Sequence, residues 1–222
     1  VLTETDTPAP QVGQVRVQVK AAGVNFSDTL IIRDLYQSKP PRPFAPGSEV
    51  AGVIEAIGPD VTGYQIGDRV MALGHMGGFA THMIVPVSDL VSMPNTMSFD
   101  EVACFIFTYG TSHYALCDRA KLRAGETLLV LGAAGGVGAA AIELGKAMGA
   151  KVIAAVFSEQ KAAFCRKIGA DDTVIHPRNM DHDAQKALSS AIKASVGPNG
   201  VDVVYDPVGG AYSEPAIRCL GW

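Results

Sequence analysis

The sequence predicts an α/β protein in which a small, partly open β-barrel is followed by a doubly wound parallel sheet. Short strands separated by Gly and Pro turns fill the first half, beginning with the strictly alternating run 15–21. In the second half, apolar strands alternate with helical segments, which favours right-handed crossovers and a parallel sheet covered on both faces. Because this rhythm changes near Ser98, we expect two domains, 1–104 and 105–222.

The strands of the first half are predicted from alternating or β-branched residues and from the Gly and Pro turns that bound them. They are 15–21, 50–57, 69–73 and 81–85. Ser98 or Asp100 can then accept a hydrogen bond from the free N–H groups of a helix that runs toward Phe107.

The second half opens with a buried strand at 128–131, a turn at 132–138 that contains four glycines, and an apolar helix at 139–148. Glycines permit a tight turn and a close approach of the backbone to an anion. The start of the helix adds free N–H groups and the positive end of its dipole. The pattern predicts a site for the pyrophosphate of a dinucleotide.

The remaining elements continue the same alternation of strands and helices. An apolar strand at 151–157 ends about 20 residues past the first glycine, where a dinucleotide fold presents its ribose-reading residue. A strand at 173–175, a polar helix at about 183–195 and a strand at 201–205 follow.

The tip of the second apolar strand indicates NADPH as the cofactor. An NAD site places Asp or Glu there, whereas Ser158 can donate a hydrogen bond to a 2′-phosphate and Lys161 can supply a positive charge. We expect Glu159 to lie along the first turn of the next helix, where the dipole favours an acidic residue. The alternative for Lys161 is a solvated helix face.

Composition excludes several classes of function. The chain has 222 residues and a net charge of −4, and its Lys and Arg residues are scattered, which argues against a nucleic-acid surface. Charges and glycines interrupt the longest apolar stretch, so we expect no membrane span. The four cysteines are far apart and no secretory signal is visible, which indicates a cytoplasmic protein.

Five segments carry a family resemblance: 21–28, 46–53, 67–70, 109–112 and the glycine turn 132–138. Together they resemble the zinc-independent quinone oxidoreductase branch of the medium-chain dehydrogenase/reductase superfamily. The resemblance implies an N-terminal GroES-like substrate and catalytic domain, followed by a Rossmann domain that binds NADPH. It also implies an active site in the cleft between the two domains.

The same resemblance implies that the chain is part of a longer protein. In relatives further sheet strands, a cofactor-contacting loop and a dimer edge follow the position of Trp222, so we expect an incomplete Rossmann domain and a homodimeric full-length form. The start at Val1 rather than Met suggests a missing N-terminus.

No metal site is expected. Zinc-dependent relatives use Cys, His and a second Cys or acid, but here Asn25 and Ser48 occupy two of those positions and Glu49 follows. A catalytic zinc needs three protein ligands. Without zinc, nothing polarises the oxygen of an alcohol, so an alcohol is a poor substrate. A conjugated carbonyl is already electrophilic and can accept a hydride without a metal, which favours quinones, enones or enoyl thioesters.

The resemblance assigns catalytic positions to Asn25, Asp28 and Tyr36. Asn25 and Asp28 line the cleft, and Asn25 would bond the nicotinamide ribose or the acceptor's oxygen. Tyr36 matches a tyrosine that contacts quinone, or that donates a proton in related enoyl-thioester reductases. The alternatives are a turn residue for Asn25 and a packing aromatic for Tyr36. Leu30 replaces a further family tyrosine, which weakens the case for quinone stacking.

The cofactor-binding residues that follow from the motif and the resemblance are Asn25, Thr111, Gly135, Gly136, Val137, Ser158, Lys161, Arg178 and Val208. Quinone reductases often have Asn-Tyr-Arg where this chain has His-Pro-Arg, so the arginine can still meet a phosphate but the stacking tyrosine is absent.

The expected function is NADPH-dependent reduction of a quinone or enone without zinc. The alternatives are a 2-enoyl-CoA (enoyl-thioester) reductase and a non-catalytic, truncated nucleotide-binding chain.

Overall fold

The computed structural model describes residues 3–221, and the chain divides after Phe107 into two compact units. The first unit contains an antiparallel sheet and the second a parallel sheet flanked by helices. The predicted fold class is therefore confirmed. The assignment of 1–104 to substrate and 105–222 to cofactor stays a prediction.

Within the described residues, the sheet of the first unit has five strands in the order β4-β1-β2-β3-β5. The strands are β1 (Gln14–Gly23), β2 (Glu49–Ile57), β3 (Arg69–Leu73), β4 (His82–Pro86) and β5 (Leu90–Ser92). Because side chains alternate between the faces of a strand, each strand can send residues to one core. That core includes Val17, Ile54, Val70, Val85 and Leu90, one from each strand. This is the predicted partly open barrel.

Two short helices complete the first unit: α1 (Phe26–Ile31) and α2 (Phe99–Val102). Ser98 caps α2, since its side chain accepts from the Glu101 N–H while the Glu101 carboxylate accepts from the Ser98 N–H. The prediction of a helix running on to Phe107 was wrong. Regular α-helix ends at Val102, and a π-helical segment follows at Ile106–Gly110.

In the part of the second unit that the structure describes, four parallel strands take the order β8-β7-β6-β9. The strands are β6 (Thr127–Leu131), β7 (Lys151–Val156), β8 (Asp172–Ile175) and β9 (Val203–Tyr205). The helices are α3 (Thr111–His113), α4 (Gly136–Ala147), α5 (Glu159–Lys167), α6 (His182–Val196) and α7 (Ser213–Ile217). A second π-helical segment, Tyr114–Arg119, follows α3.

Alternate residues of β6 and β7 pack into two separate cores. Val130 and Ala154 belong to the core that also contains residues of α4 and α5, whereas Leu129 and Ile153 belong to the core that contains residues of α6. Helices therefore cover both faces of the sheet, as predicted. No helix within residues 3–221 is both long and apolar enough to cross a membrane.

Candidate functional site

The glycine turn joins β6 directly to α4. Gly135 is the N-cap, so α4 begins at Gly136 and the prediction of a start at Ala139 was wrong by three residues. A Cβ at Gly138 would lie 2.5 Å from the Gly132 carbonyl oxygen, so glycine is what allows this tight first turn. The first N–H groups of α4, those of Gly136, Val137 and Gly138, therefore have no partner within the helix, and an anion can bind to them.

Ser112 holds the start of α4 in place, and sequence reasoning missed it. Its side chain is fully buried, donates to the Val137 carbonyl oxygen at 2.7 Å and lies 3.0 Å from the Tyr205 hydroxyl. Burial raises the pKa of Tyr205, while the bond to Ser112 offsets part of this rise. Thr111, a predicted cofactor contact, precedes Ser112 and is the first residue of α3.

A cavity of about 490 Å³ lies beyond the carboxyl ends of the parallel strands, within the size range of small-molecule sites. The structure brings four of the predicted cofactor residues to its lining: Gly135, Lys161, Arg178 and Val208. Phe157, His176 and Tyr212 also line it and were not predicted. Parallel strands end at the same edge, which is why residues far apart in sequence meet there.

Two cations at this cavity share one aromatic ring. The Lys161 Nζ lies 4.2 Å from the centroid of the Phe157 ring, and the Arg178 Cζ lies 4.0 Å from it. Ser158 is the N-cap of α5, and its Oγ accepts from the Lys161 N–H at 3.4 Å. The Ser158 hydroxyl proton is still able to donate to an anion.

Glu159 does not neutralise these cations. Its carboxylate pairs with Arg166 along α5, as expected for an acidic residue in the first turn of that helix. Among the described residues, neither Lys161 nor Arg178 has a carboxylate within ion-pair distance. The cavity is therefore positively charged at this end.

In the first unit, the buried carboxylate of Asp28 organises the start of α1. Its Oδ2 accepts from the Asn25 N–H at 2.8 Å, and its Oδ1 accepts from the Ser48 hydroxyl at 2.9 Å. Asp28 is only 1% exposed, so these two hydrogen bonds satisfy carboxyl oxygens that water does not reach. The geometry gives Asp28 a clear role in positioning Asn25 and Ser48.

Glu49 is a second fully buried acid in this unit. One carboxylate oxygen accepts from the Phe107 N–H at 2.8 Å, and the other accepts from the Asn25 side-chain amide at 3.1 Å. Burial raises the pKa of Glu49; these hydrogen bonds oppose the rise, and nearby Asp28 adds to it. A Cβ at Gly23 would lie 2.9 Å from the carboxylate, so glycine there leaves room for Glu49.

A cavity of about 310 Å³ in the first unit is lined by Ser27, Tyr36 and Ser48, together with apolar residues that include Ile31 and Leu73. The Ser27 Oγ is buried and has no hydrogen-bond partner among the described residues. Buried hydroxyls normally have a partner, so this one is available to donate a hydrogen bond to a molecule that occupies the cavity. No role was predicted for Ser27, although its position between the predicted residues Asn25 and Asp28 could have indicated one.

The donor set around Asn25 does not fit a catalytic zinc. Asn25 contributes an amide, Ser48 a hydroxyl that donates to Asp28, and Glu49 a carboxylate with both oxygens in hydrogen bonds. Within residues 3–221, no three His, Cys, Asp or Glu side chains form a group that could hold a metal ion.

Residues 11–95 match the family model described as "Alcohol dehydrogenase GroES-like domain", and residues 136–221 match "Zinc-binding dehydrogenase". The chain is 38% identical over 210 residues to quinone oxidoreductase-like protein 2 of Rattus norvegicus, covering 94% of this chain and 58% of that relative. It therefore spans less than two thirds of the length of this curated relative.

Solved structures are similar over almost the whole chain. A probable oxidoreductase from Mycobacterium abscessus is 40% identical with a TM-score of 0.86, covering 99% of this chain and 67% of that one. Escherichia coli quinone oxidoreductase complexed with NADPH is 32% identical with a TM-score of 0.89, covering 98% of this chain and 65% of that one.

These matches and the two sheets define the class of the protein: a GroES-like domain followed by a Rossmann-like domain. The chain belongs to the medium-chain dehydrogenase/reductase superfamily, and the proteins that it resembles include quinone oxidoreductases and a quinone oxidoreductase-like protein.

Proposed function

We propose that the chain carries the cofactor and acceptor sites of a zinc-independent reductase that uses NADPH to reduce a quinone or another conjugated carbonyl. The observation that carries the proposal is the cavity at the glycine turn, where Lys161 and Arg178 have no neutralising carboxylate among the described residues. Such a pair favours NADPH over NADH, because only NADPH has a 2′-phosphate. When bound, NADPH supplies the hydride.

The residues of the second unit would bind the cofactor in three places. The N–H groups at the start of α4, including those of Gly136 and Val137, would hold the pyrophosphate. Lys161, Arg178 and the Ser158 hydroxyl would hold the 2′-phosphate. We assign the nicotinamide end to Thr111 and Val208, and the family resemblance supports this assignment. The resemblance also assigns a cofactor contact to Asn25.

The cavity of the first unit would bind the acceptor. Reduction of a conjugated carbonyl increases the negative charge on its oxygen, and the Ser27 hydroxyl can donate a hydrogen bond to that oxygen. The apolar side chains of Ile31 and Leu73 suit a planar, largely apolar molecule. Tyr36 lines the same cavity and can contact the acceptor or supply a proton.

The presence of Tyr36 in this cavity also favours the second candidate, an enoyl-thioester reductase. Reduction of an enoyl thioester leaves a carbanion that needs a proton donor, whereas water can complete the protonation of a reduced quinone. The third possibility is a chain that binds nucleotide but does not catalyse, because it spans 58% of the length of a curated relative. A homodimer, which follows from the resemblance, is part of the proposal. A cytoplasmic location, which follows from the widely spaced cysteines, is also part of it.

Turnover tests this proposal directly. NADPH oxidation should be measured with a benzoquinone, a simple enone and a crotonyl thioester, using the 222-residue chain and a C-terminally extended form. We expect the extended form to reduce the quinone or the enone with NADPH in preference to NADH. Preferred reduction of the thioester would support the second candidate. Absence of NADPH binding by both forms would contradict the proposal.

Replacing Ser27 by alanine should separate stability from function. Loss of an unpaired buried hydroxyl should raise the free energy of unfolding by about 1 kcal/mol. Loss of the hydrogen bond to the acceptor's oxygen should lower kcat/KM by about tenfold. Chemical denaturation and steady-state kinetics measure the two effects.

Ser38→Ala is the matched control, because Ser38 lines the same cavity but is exposed. It should change neither quantity. A Ser27→Ala variant that is less stable and fully active would mean that the hydroxyl serves the fold instead of the acceptor.

A further inference from the structure

Phe157 is the first residue after β7, and its ring is contacted by cations from two separate segments. Lys161 lies in the first turn of α5, and Arg178 lies in the loop after β8. The distances from the ring centroid, 4.2 Å to the Lys161 Nζ and 4.0 Å to the Arg178 Cζ, are well within the range of cation–π contacts.

Two neighbouring positive charges repel each other unless something compensates them. No carboxylate does so within the described residues, since Glu159 is paired with Arg166. The negative face of an aromatic ring attracts each cation without neutralising its charge. Phe157 can therefore hold both side chains at the cavity and leave their full charge available to an anion.

The backbone of Arg178 is anchored separately. The Tyr212 hydroxyl donates to the Arg178 carbonyl oxygen at 2.8 Å, and the His176 ring packs edge-on against the Tyr212 ring with centroids 5.1 Å apart. The loop is thus fixed by Tyr212, while the direction of the exposed Arg178 side chain depends on its contact with Phe157.

We propose that Phe157 is a positioning residue that determines cofactor specificity, because its ring holds both Lys161 and Arg178 at the cavity, where they form a clamp for a phosphate monoester on the ribose 2′ position. Its aromatic ring comes from the end of β7, whereas the residue before Arg178 is Pro177 and offers no aromatic surface. This inference rests on the proposed function and assigns a role to a residue that touches the cations rather than the reacting atoms.

The test compares Phe157→Leu, which keeps an apolar side chain but removes the ring, with Phe157→Trp, which keeps an aromatic face. The probes are adenosine 2′,5′-bisphosphate and AMP, which differ by the 2′-phosphate alone, and their dissociation constants are measured by calorimetry on the 222-residue chain. In Phe157→Leu we expect about tenfold weaker binding of the bisphosphate and a change within about twofold for AMP. Phe157→Trp should retain the wild-type ratio.

If the role of Phe157 were purely structural, Phe157→Leu would bind the bisphosphate and AMP more weakly by the same factor, and this result would overturn the inference. So would a Phe157→Leu variant that discriminates as well as the wild type, and in that case the proposed function would stand. If the wild-type chain bound the bisphosphate no better than AMP, both the preference for NADPH and this inference would fail. Phe157 is half-buried, so we expect Leu to be tolerated, and Phe157→Met repeats the comparison should the Leu variant not fold.

Discussion

Substitution of both Lys161 and Arg178 by methionine is expected to weaken NADPH binding by about a hundredfold while NADH binding changes by no more than about twofold. The two cations have no ion-pair partner among the described residues and line the cavity at the end of β7. A charge-assisted hydrogen bond is stronger than a neutral one, and NADH lacks the phosphate that would receive it. Titration of cofactor fluorescence measures both dissociation constants.

The matched control is Lys167→Met combined with Lys193→Met. These exposed residues lie outside the lining of the cavity, and their replacement removes the same amount of charge. If the control weakened NADPH binding as much as the Lys161 and Arg178 pair, the effect would come from net charge and not from a site. Equal loss of NADH and NADPH affinity would likewise contradict a 2′-phosphate clamp.

A cavity at the glycine turn could be expected from the sequence, because the parts that line it are local or share one sheet edge. The glycine spacing between β6 and α4 indicates a phosphate turn, and the carboxyl ends of parallel strands meet. The start of α4 was mispredicted because Gly138 was counted as part of the turn, whereas its missing side chain lets the helix begin at Gly136.

Contacts that depend on side-chain direction across long separations could not be predicted. Phe157 and Arg178 are brought together by β7, β8 and the loop that follows, and no local pattern indicates that their side chains touch. The bond between Glu49 and the Phe107 N–H spans 58 residues of sequence. In the sequence, Glu49 stands out only as the neighbour of Ser48, which replaces a zinc ligand, and nothing local indicates its structural role.

Glu49→Ala is expected to lower the free energy of unfolding by about 4 kcal/mol, because the substitution leaves the Phe107 N–H and the Asn25 amide without their acceptor and opens a cavity. Chemical denaturation measures the loss. Glu55→Ala is the control, since Glu55 is exposed on the same strand and should change stability by well under half of that amount. A Glu49→Ala variant as stable as the control would mean that these donors find other partners.

The pH dependence of stability tests the same carboxyl group without removing its volume. Burial raises the pKa of Glu49 above its ordinary value of 4.5, with Asp28 adding to the rise, so the folded state binds this proton more tightly than the unfolded state. The contribution of Glu49 to stability is therefore greatest below pH 4.5 and decreases as the pH rises through the folded-state pKa. Glu49→Gln cannot titrate, so the stability of the wild type relative to this variant should decrease across that window. An increase across the same window would show that the hydrogen bonds from Phe107 and Asn25 outweigh burial and lower the pKa.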